Sequence, residues 1–512
     1  MIKKMIARKS SLIMAINITE GILAYVAMFF IARYMGPNDY GIIGFATGFV
    51  GLFGILTSLG FNEAHIKRIS EGKDLGRCIG TFLVTKVGLV SIMAIVTLSA
   101  ILFWKVIIGK GFETPEHEIA IYIILVYFIL ERLATIFQIT FSAETKIAKS
   151  QIPFLIATVT RTVAIIFVAV TAKTFGFGAI ELAYAYVFGH IFLFTSSLIF
   201  FRKYPIKRPS MKCFKDYTQF AFPLIIVSSS SMIITNLDKV LIQLFWSATQ
   251  VGNYFASYRI AGFIVMAGSS IGMILFPMIS NLNKVNDMKG IREILFQSER
   301  YISLFTIPIV FGTAALAEPI VHILLSDSFS GAIPIFRTLP FFALLYSLSI
   351  PYNSQLLGMG KPHLVRNRIL IMVVLNAVLN IILIPKDIQS LGIKLFGLGA
   401  LGASIATVIS YLFGYLYFRY TAWKLIDLKF NFKILLHLLA AATMGMILYQ
   451  ISIMIFINRW YQLLGVSLFG FGIYLVILVI VKEFSKQDFL FVIDTLNIRK
   501  MWNYITKEIK RE

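Results

Sequence analysis

Runs of more than 20 residues with almost no charge recur from one end of this chain to the other, and they decide what it can fold into. The stretch 119–141, IAIYIILVYFILERLATIFQITF, is one of them. A helix needs about 20 apolar residues to cross the ~30 Å hydrocarbon core of a bilayer. Over all 512 residues the chain is 58% hydrophobic and 14% charged, with a mean hydropathy of +0.82, whereas a soluble domain is about 25% charged. A surplus of this size cannot be hidden in a soluble core. The ten-residue alternation of a membrane β-barrel is absent. The expected fold class is therefore an all-α polytopic membrane protein.

Fourteen spans are expected, at 12–32, 41–62, 80–108, 119–141, 152–172, 179–201, 220–246, 251–279, 302–325, 335–357, 364–384, 395–418, 434–457 and 460–481. The first follows MIKKMIARKSS, which resembles the charged start of a signal peptide. It ends at IARYMGP without a small-residue cleavage site, so it reads as an uncleaved span. Lysine and arginine in short loops mark the cytoplasmic side. With the N-terminus inside, most of the 47 basic residues fall in cytoplasmic segments, and only Arg33, Lys105, Lys110, Lys173, Lys386, Lys394 and Arg459 fall outside. Both termini are thus expected in the cytoplasm of a plasma or inner membrane protein. The net charge of +22 follows from loops such as RKYPIKRPSMKCFK (202–215) and needs no nucleic acid. Cys78 and Cys213 both fall on the cytoplasmic side, where a structural disulfide is not expected.

The chain also repeats itself. FGFGAIELAYA (175–185) returns as FGLGALGASIA (396–406), 221 residues later. Lys146 and Lys361 correspond at an offset of 215, Tyr40 and Tyr254 at 214, Arg202 and Arg419 at 217. The matches keep span order, so spans 1–6 repeat as 7–12 and two C-terminal spans are appended. An even number of spans per copy gives two parallel six-helix repeats related by an axis along the membrane normal. The expected parts are an N-terminal lobe 1–201, a basic cytoplasmic linker 202–219, a C-terminal lobe 220–420, two appended helices 421–481 and a basic cytoplasmic tail 482–512. Two such lobes suit alternating access around a site at their interface.

Several stretches carry a resemblance: IARYMGPNDYGIIGFATGFVGLFGILTSLGF (31–61), TNLDKVLIQLFWSATQVGNYFASYRIAG (235–262), ILFPMIS (274–280) and GKP (360–362). With the 6+6+2 plan, they resemble the polysaccharide-unit flippases of the multidrug/oligosaccharidyl-lipid/polysaccharide exporter superfamily. The resemblance covers essentially the whole chain. It implies translocation of an isoprenoid-diphosphate-linked sugar unit from the inner to the outer leaflet.

Ionisable groups inside spans default to functional hypotheses, with pairing or snorkelling as the alternative. Lobe one has Glu20, Lys86, Glu131, Arg132 and Arg161; lobe two has Asp238, Lys239, Arg259, Glu318 and Arg337. Each set sums to +1, a mildly cationic interior. Asp238 and Arg259 lie about ten residues either side of one turn, hence ~15 Å deep on antiparallel helices. They read either as a structural pair or as a gate that releases Arg259 to a diphosphate, whose oxygens an arginine fork matches. Arg259, Arg161, Arg132 and Lys239 are the diphosphate-binding candidates, with Asp238 and Glu131 as charge partners or gate. Glu131, Arg132 and Arg161 share a depth by the same count. Glu20 and Lys86 are the ion-coupling candidates: a buried carboxylate can carry H⁺ or bind Na⁺, while Lys86 can also snorkel.

No G-x-x-x-x-G-K-[ST] sequence is present, so no P-loop nucleotide site is expected, and the histidines and cysteines form no metal-spaced cluster. No cofactor and no catalytic residues are expected. External loops are short, without the domain that membrane glycosyltransferases usually need. The leading reading is a flippase for a lipid-linked oligosaccharide or polysaccharide repeat unit, whose partners are that substrate, the bilayer and a coupling H⁺ or Na⁺. An ion-coupled exporter of small amphipathic compounds is the alternative, disfavoured by the cationic interior.

Overall fold

A computed structural model describes residues 2–107, 111–222, 225–388, 392–485 and 488, with side chains described for all of these except 2–15, 225–231, 266–274, 388 and 393. The expected tail 482–512 lies mostly outside the described residues. The fold is helical: α1 (Ile2–Tyr34), α2 (Pro37–Phe53), α3 (Phe61–Ser70), α4 (Leu75–Val106), α5 (Pro115–Ala143), α6 (Ile147–Phe175), α7 (Ala179–Phe201), α8 (Met211–Ala221), α9 (Ile225–Phe245), α10 (Ala248–Lys284), α11 (Met288–Ala315), α12 (Ala317–Ile320), α13 (Ile333–Thr338), α14 (Pro340–Gly358), α15 (Pro362–Leu383), α16 (Gly399–Ile426), α17 (Phe432–Met454) and α18 (Trp460–Ile480). A two-residue antiparallel pair, Asp387–Ile388 with Ile393–Lys394, closes the turn before α16.

Each of the fourteen expected segments holds a helix. Among the described residues, eleven helices are long and apolar enough to cross a membrane, or twelve if one bent pair counts as a single span. This is a multi-pass membrane protein. The two expected segments outside that count, 220–246 and 251–279, hold α9 and α10, whose residues 225–231 and 266–274 lie outside those with described side chains. The described parts carry Asn236, Asp238, Lys239 and Gln243, and Gln250, Asn253 and Arg259. Large apolar side chains such as Ile95, Leu102, Phe167, Phe188 and Leu468 are exposed around the outside, where lipid takes the place of a partner.

Two expected spans need correction. Span 41–62 is not one helix: α2 tightens into a narrow turn at Gly54–Thr57, Leu59 and Gly60 take positive φ (43° and 80°), and the chain re-enters as α3. Span 302–325 bends by 82° between α11 and the segment Ala317–Leu325, with Pro319 in the first turn after the bend. The linker 202–219 contains an amphipathic helix, α8, whose Tyr217 and Ala221 are buried while its basic face is not.

The packing of the first half returns in the second. α1 packs on α6, α6 on α7, α5 on α7, α2 on α5 and α4 on α5; correspondingly α9 packs on α15, α15 on α16, α14 on α16, α10 on α14 and α11 on α14. The matched residues hold matched places. Lys146 and Lys361 cap the N-termini of α6 and α15. Gly176 and Gly397 take left-handed φ (69° and 66°) in the turns entering α7 and α16. The halves meet through α2, which packs on both α9 and α10, and α17 lies against α11.

Candidate functional site

The seam between the halves is tightest at the end holding the α1–α2 and α9–α10 turns. A Cβ on Gly41 would lie 1.7 Å from the Ala248 carbonyl oxygen, and one on Gly252 would lie 1.9 Å from that of Pro37. Glycine there lets α2 and α10 touch backbone to backbone. Three hydrogen bonds cross at the same end: Glu113 Oε2 accepts from Gln243 Nε2 at 2.7 Å and from Ala248 N at 2.9 Å, and Ser326 Oγ donates to Ala32 O at 2.9 Å.

Further along the seam stands an aromatic and cationic cluster. Phe255 of α10 lies 4.8 Å, ring to ring, from Tyr40 of α2. The Arg259 guanidinium sits 5.0 Å from the Phe255 ring centre, and Lys239 Nζ sits 5.3 Å from the same ring. Arg161, on α6 of the other half, lies 5.8 Å over Tyr186. Tyr40 and Tyr127 each feel both Arg161 and Arg259 electrostatically. The seam therefore brings arginines from the two halves to one tyrosine wall. Arg259 is exposed and Arg161 half-buried, so both guanidiniums are accessible inside the molecule. Among the described residues, no carboxylate lies at salt-bridge distance from either.

The expected Asp238–Arg259 pair is not formed. Asp238 is buried and takes its hydrogen bonds within its own half: from the Tyr254 hydroxyl, from Thr407 Oγ1 at 2.9 Å and from Asn380 Nδ2 at 2.6 Å. The reason is helical phase. Tyr254 faces Asp238, and five residues of helix turn Arg259 about 140° away from Tyr254 on α10. Equal depth is not the same face. Lys239, next to Asp238, turns toward the seam, where Nζ donates to Asn236 Oδ1 at 3.0 Å and its Cβ packs where α2 has Gly48.

The expected Glu131–Arg132–Arg161 group is split. Arg132 stays beside its neighbour Glu131 at 3.7 Å, whereas Arg161 lies within electrostatic reach of Glu20. Glu20 is half-buried and its Oε1 is enclosed without a hydrogen-bond partner. Lys86 does not snorkel: it is buried, and Nζ donates to Thr57 O at 2.6 Å, where α2 breaks. Glu318 and Arg337 are exposed, and Arg337 lies over Tyr449 of α17.

Other charged residues escaped the sequence reading because they fell just beyond or at the edges of the spans. Glu299 is buried with Tyr352, Tyr415 and Arg419. Arg300 holds Glu483 and Asp488 at 2.6 and 2.8 Å and so ties the segment after α18 to α11. Arg368 is buried on α15, donating to Ser349 Oγ at 3.2 Å and to Gly414 O at 3.3 Å. Nothing in sequence spacing singled out the tyrosine wall. Among the described residues no group of histidine, cysteine or carboxylate side chains could hold a metal ion.

The family model "Polysaccharide biosynthesis protein" matches residues 12–334. The chain belongs to that family. This agrees with the resemblance to polysaccharide-unit flippases carried by the sequence. The "Probable low-salt glycan biosynthesis flippase Agl15" of Haloferax volcanii is 22% identical over 485 residues, covering 94% of this chain and 98% of its own. The "Probable flippase AglR" of the same organism is 26% identical over 192 residues, 35% of this chain and 36% of its own. Among solved structures, the lipid II flippase MurJ in an inward closed conformation superposes with a TM-score of 0.74 at 18% identity, covering 92% of this chain and 98% of that one. An inward-facing multidrug resistance MATE transporter gives 0.63 at 16% identity, with 80% and 96% covered. These two likenesses concern the fold alone. Both Haloferax relatives are named as flippases.

Proposed function

We propose that the chain flips an oligosaccharide or polysaccharide repeat unit, carried on an isoprenoid diphosphate, from the cytoplasmic to the outer leaflet by alternating access. The observation that carries this reading is the pair Arg259 and Arg161, one from each half, accessible at the seam and without a carboxylate partner among the described residues. Two planar forks on opposite halves suit a diphosphate, whose charge would otherwise be stranded in low dielectric. The tyrosines beside them offer hydroxyls and faces to sugar rings.

The halves act as two parallel six-helix lobes, 1–201 and 220–420, within a fourteen-span chain with both termini cytoplasmic. The recurring helix pairings and the matched Lys146/Lys361 and Gly176/Gly397 positions support the duplication. The distribution of basic residues supports the orientation, which makes the glycine-tight end external. The described conformation is then closed outside and receives substrate from the cytoplasm.

Coupling is assigned to an acid in the membrane, with Glu20 and Asp238 as the two candidates. Asp238 has the richer polar shell: Thr407 Oγ1 and Asn380 Nδ2 donate to it at 2.9 and 2.6 Å, the Tyr254 hydroxyl donates as well, and Asn380 Nδ2 also reaches Asn376 Oδ1 at 3.1 Å. A carboxylate buried in the membrane among such groups can carry H⁺ or bind Na⁺.

A second reading, an ion-coupled exporter of amphipathic compounds, draws on the fold shared with the multidrug transporter. Arg259, Lys239 and Arg161 repel the cations such exporters carry. The test is export of the cell's lipid-linked glycan, normalised to protein in the membrane. Arg259→Leu should reduce it by ten-fold or more and Arg259→Lys should also impair it, since a point charge replaces a fork. Undiminished export by well-expressed Arg259→Leu would refute the assignment.

A further inference from the structure

The chain has only two cysteines. They lie 135 residues apart in sequence, yet their Sγ atoms stand 4.0 Å from one another. Cys78, in the first turn of α4, is buried; Cys213, in the first turn of α8, is half-buried; both are free thiols. The approach is built by the linker that precedes α8. Lys207 N donates to Gly76 O at 3.1 Å, Lys207 Nζ to Asp74 Oδ2 at 2.7 Å and Ser210 N to Thr81 Oγ1 at 3.0 Å. A Cβ on Gly80 would lie 1.9 Å from Lys207 O, so the linker backbone lies directly on α4. From the α8 side, the Tyr217 hydroxyl reaches Cys78 O at 3.4 Å and His65 Nδ1 at 2.8 Å.

We propose that Cys78 and Cys213 form a redox-modification site: a dithiol that a hydroperoxide converts reversibly to a disulfide, tethering linker helix α8 to α4. The sulfurs must close by about 2 Å to reach the ~2.05 Å bond, within the swing of a Cys213 rotamer. Cys213, the more accessible, attacks the peroxide. Its sulfur bonds one oxygen, the O–O bond breaks, and the other oxygen leaves as water or alcohol carrying the thiol proton. The buried Cys78 sulfur then attacks the Cys213 sulfenic acid. The S–S bond forms, the S–O bond breaks, and hydroxide leaves with the second thiol proton as water. Two thiols are thus oxidised by two electrons while one peroxide is reduced. A dithiol reductant reverses the step by exchange. In a reducing compartment such a pair is a transient sensor rather than a structural bridge.

α8 leads into α9, the first helix of the second half, which carries Lys239 at the seam. Only the consequence for transport rests on the alternating-access reading, because a linker riveted to α4 restrains the half that must move. The chemistry is tested without any transport assay. Full-length protein, purified reduced in detergent, is treated with hydrogen peroxide, quenched, denatured and reacted with a maleimide-polyethylene glycol. Wild type should show two adducts before oxidation, none after and two again after dithiothreitol, while remaining monomeric on a non-reducing gel. In Cys78→Ser, dimedone should trap Cys213 as its sulfenic acid. Cys213→Ser should keep its one adduct through the peroxide treatment. Amide exchange of peptides covering 202–222 should slow after oxidation in wild type and in neither variant. Two surviving adducts in oxidised wild type, or loss of thiols into covalent dimers, would overturn the site. Unchanged exchange would overturn the tether.

Discussion

Gly252→Ala probes the closed end of the seam. The new methyl would sit 1.9 Å from the Pro37 carbonyl oxygen, with Gly41 N also only 3.1 Å away. A relaxed carbon–oxygen contact is about 3.3 Å, so α10 must retreat from α2 by roughly 1.4 Å. Both neighbours are backbone, so no rotamer can absorb the change. The retreat stretches the 2.9 Å bond from Ala248 N to the Glu113 carboxylate. Overpacking costs about 1–3 kcal/mol, and a hydrogen bond to a charged group contributes about 1.5–3 kcal/mol. A net bias of about 3 kcal/mol against the closed end corresponds to ~100-fold in the open-to-closed ratio. The assay places Val251→Cys, buried at this seam, in a background lacking both native cysteines, and follows its labelling by an impermeant maleimide from outside. Gly252→Ala should accelerate labelling at least ten-fold. Gly88→Ala, where an added Cβ meets nothing within 4 Å, should leave it unchanged. An unaltered rate in well-expressed Gly252→Ala would show that contact at this seam does not hold the conformation.

Gradient-dependent export separates the two acids proposed for coupling: Asp238→Asn should abolish the dependence while the protein still reaches the membrane, and Glu20→Gln should retain it. The reverse pattern would return the role to Glu20. His65 of α3 hydrogen-bonds Tyr217 and Thr140 and stacks on Phe82. Burial first, and the nearby Lys86 charge second, push its imidazole down from 6.5 to about 3. Because the folded value lies below the unfolded one, the stabilisation is complete above pH 6.5 and falls by at most about 1.4 kcal/mol per pH unit as the pH drops toward 3. Amide protection factors over 211–221, taken against the intrinsic exchange rate at each pH, should fall across that window, and His65→Gln should remove the acid dependence; pH-independent protection in the wild type would refute it.

The helical, multi-pass architecture was legible because apolar length is a linear property. Each span-sized run holds a helix, and the offsets near 215–221 recover positions as specific as the Lys146 and Lys361 caps. Breaks were not legible. The turn at Gly54–Thr57 and the 82° bend before Ala317 leave hydropathy nearly uninterrupted, since the segments on either side remain apolar. At the site, sequence counting grouped Asp238 with Arg259, and the structure does not. Counting residues from a turn gives depth, but pairing also needs the angle around the helix, and that angle sends Asp238 to Asn380 and Thr407 while Arg259 meets Phe255. The electrostatic reach between Glu20 and Arg161 joins residues 141 apart through the packing of α1 on α6, which no local pattern reveals.

The central claim is that two accessible arginines serve a lipid-borne diphosphate. Its most direct test is translocation in proteoliposomes containing the full-length protein, an isoprenoid-diphosphate-linked saccharide and an imposed ion gradient, read by the leaflet in which the saccharide becomes accessible to a glycosidase. The account predicts protein-dependent transfer, lost in Arg259→Leu and Arg161→Leu. Export of an amphipathic cation by the same vesicles, with no movement of the diphosphate-linked saccharide, would contradict it.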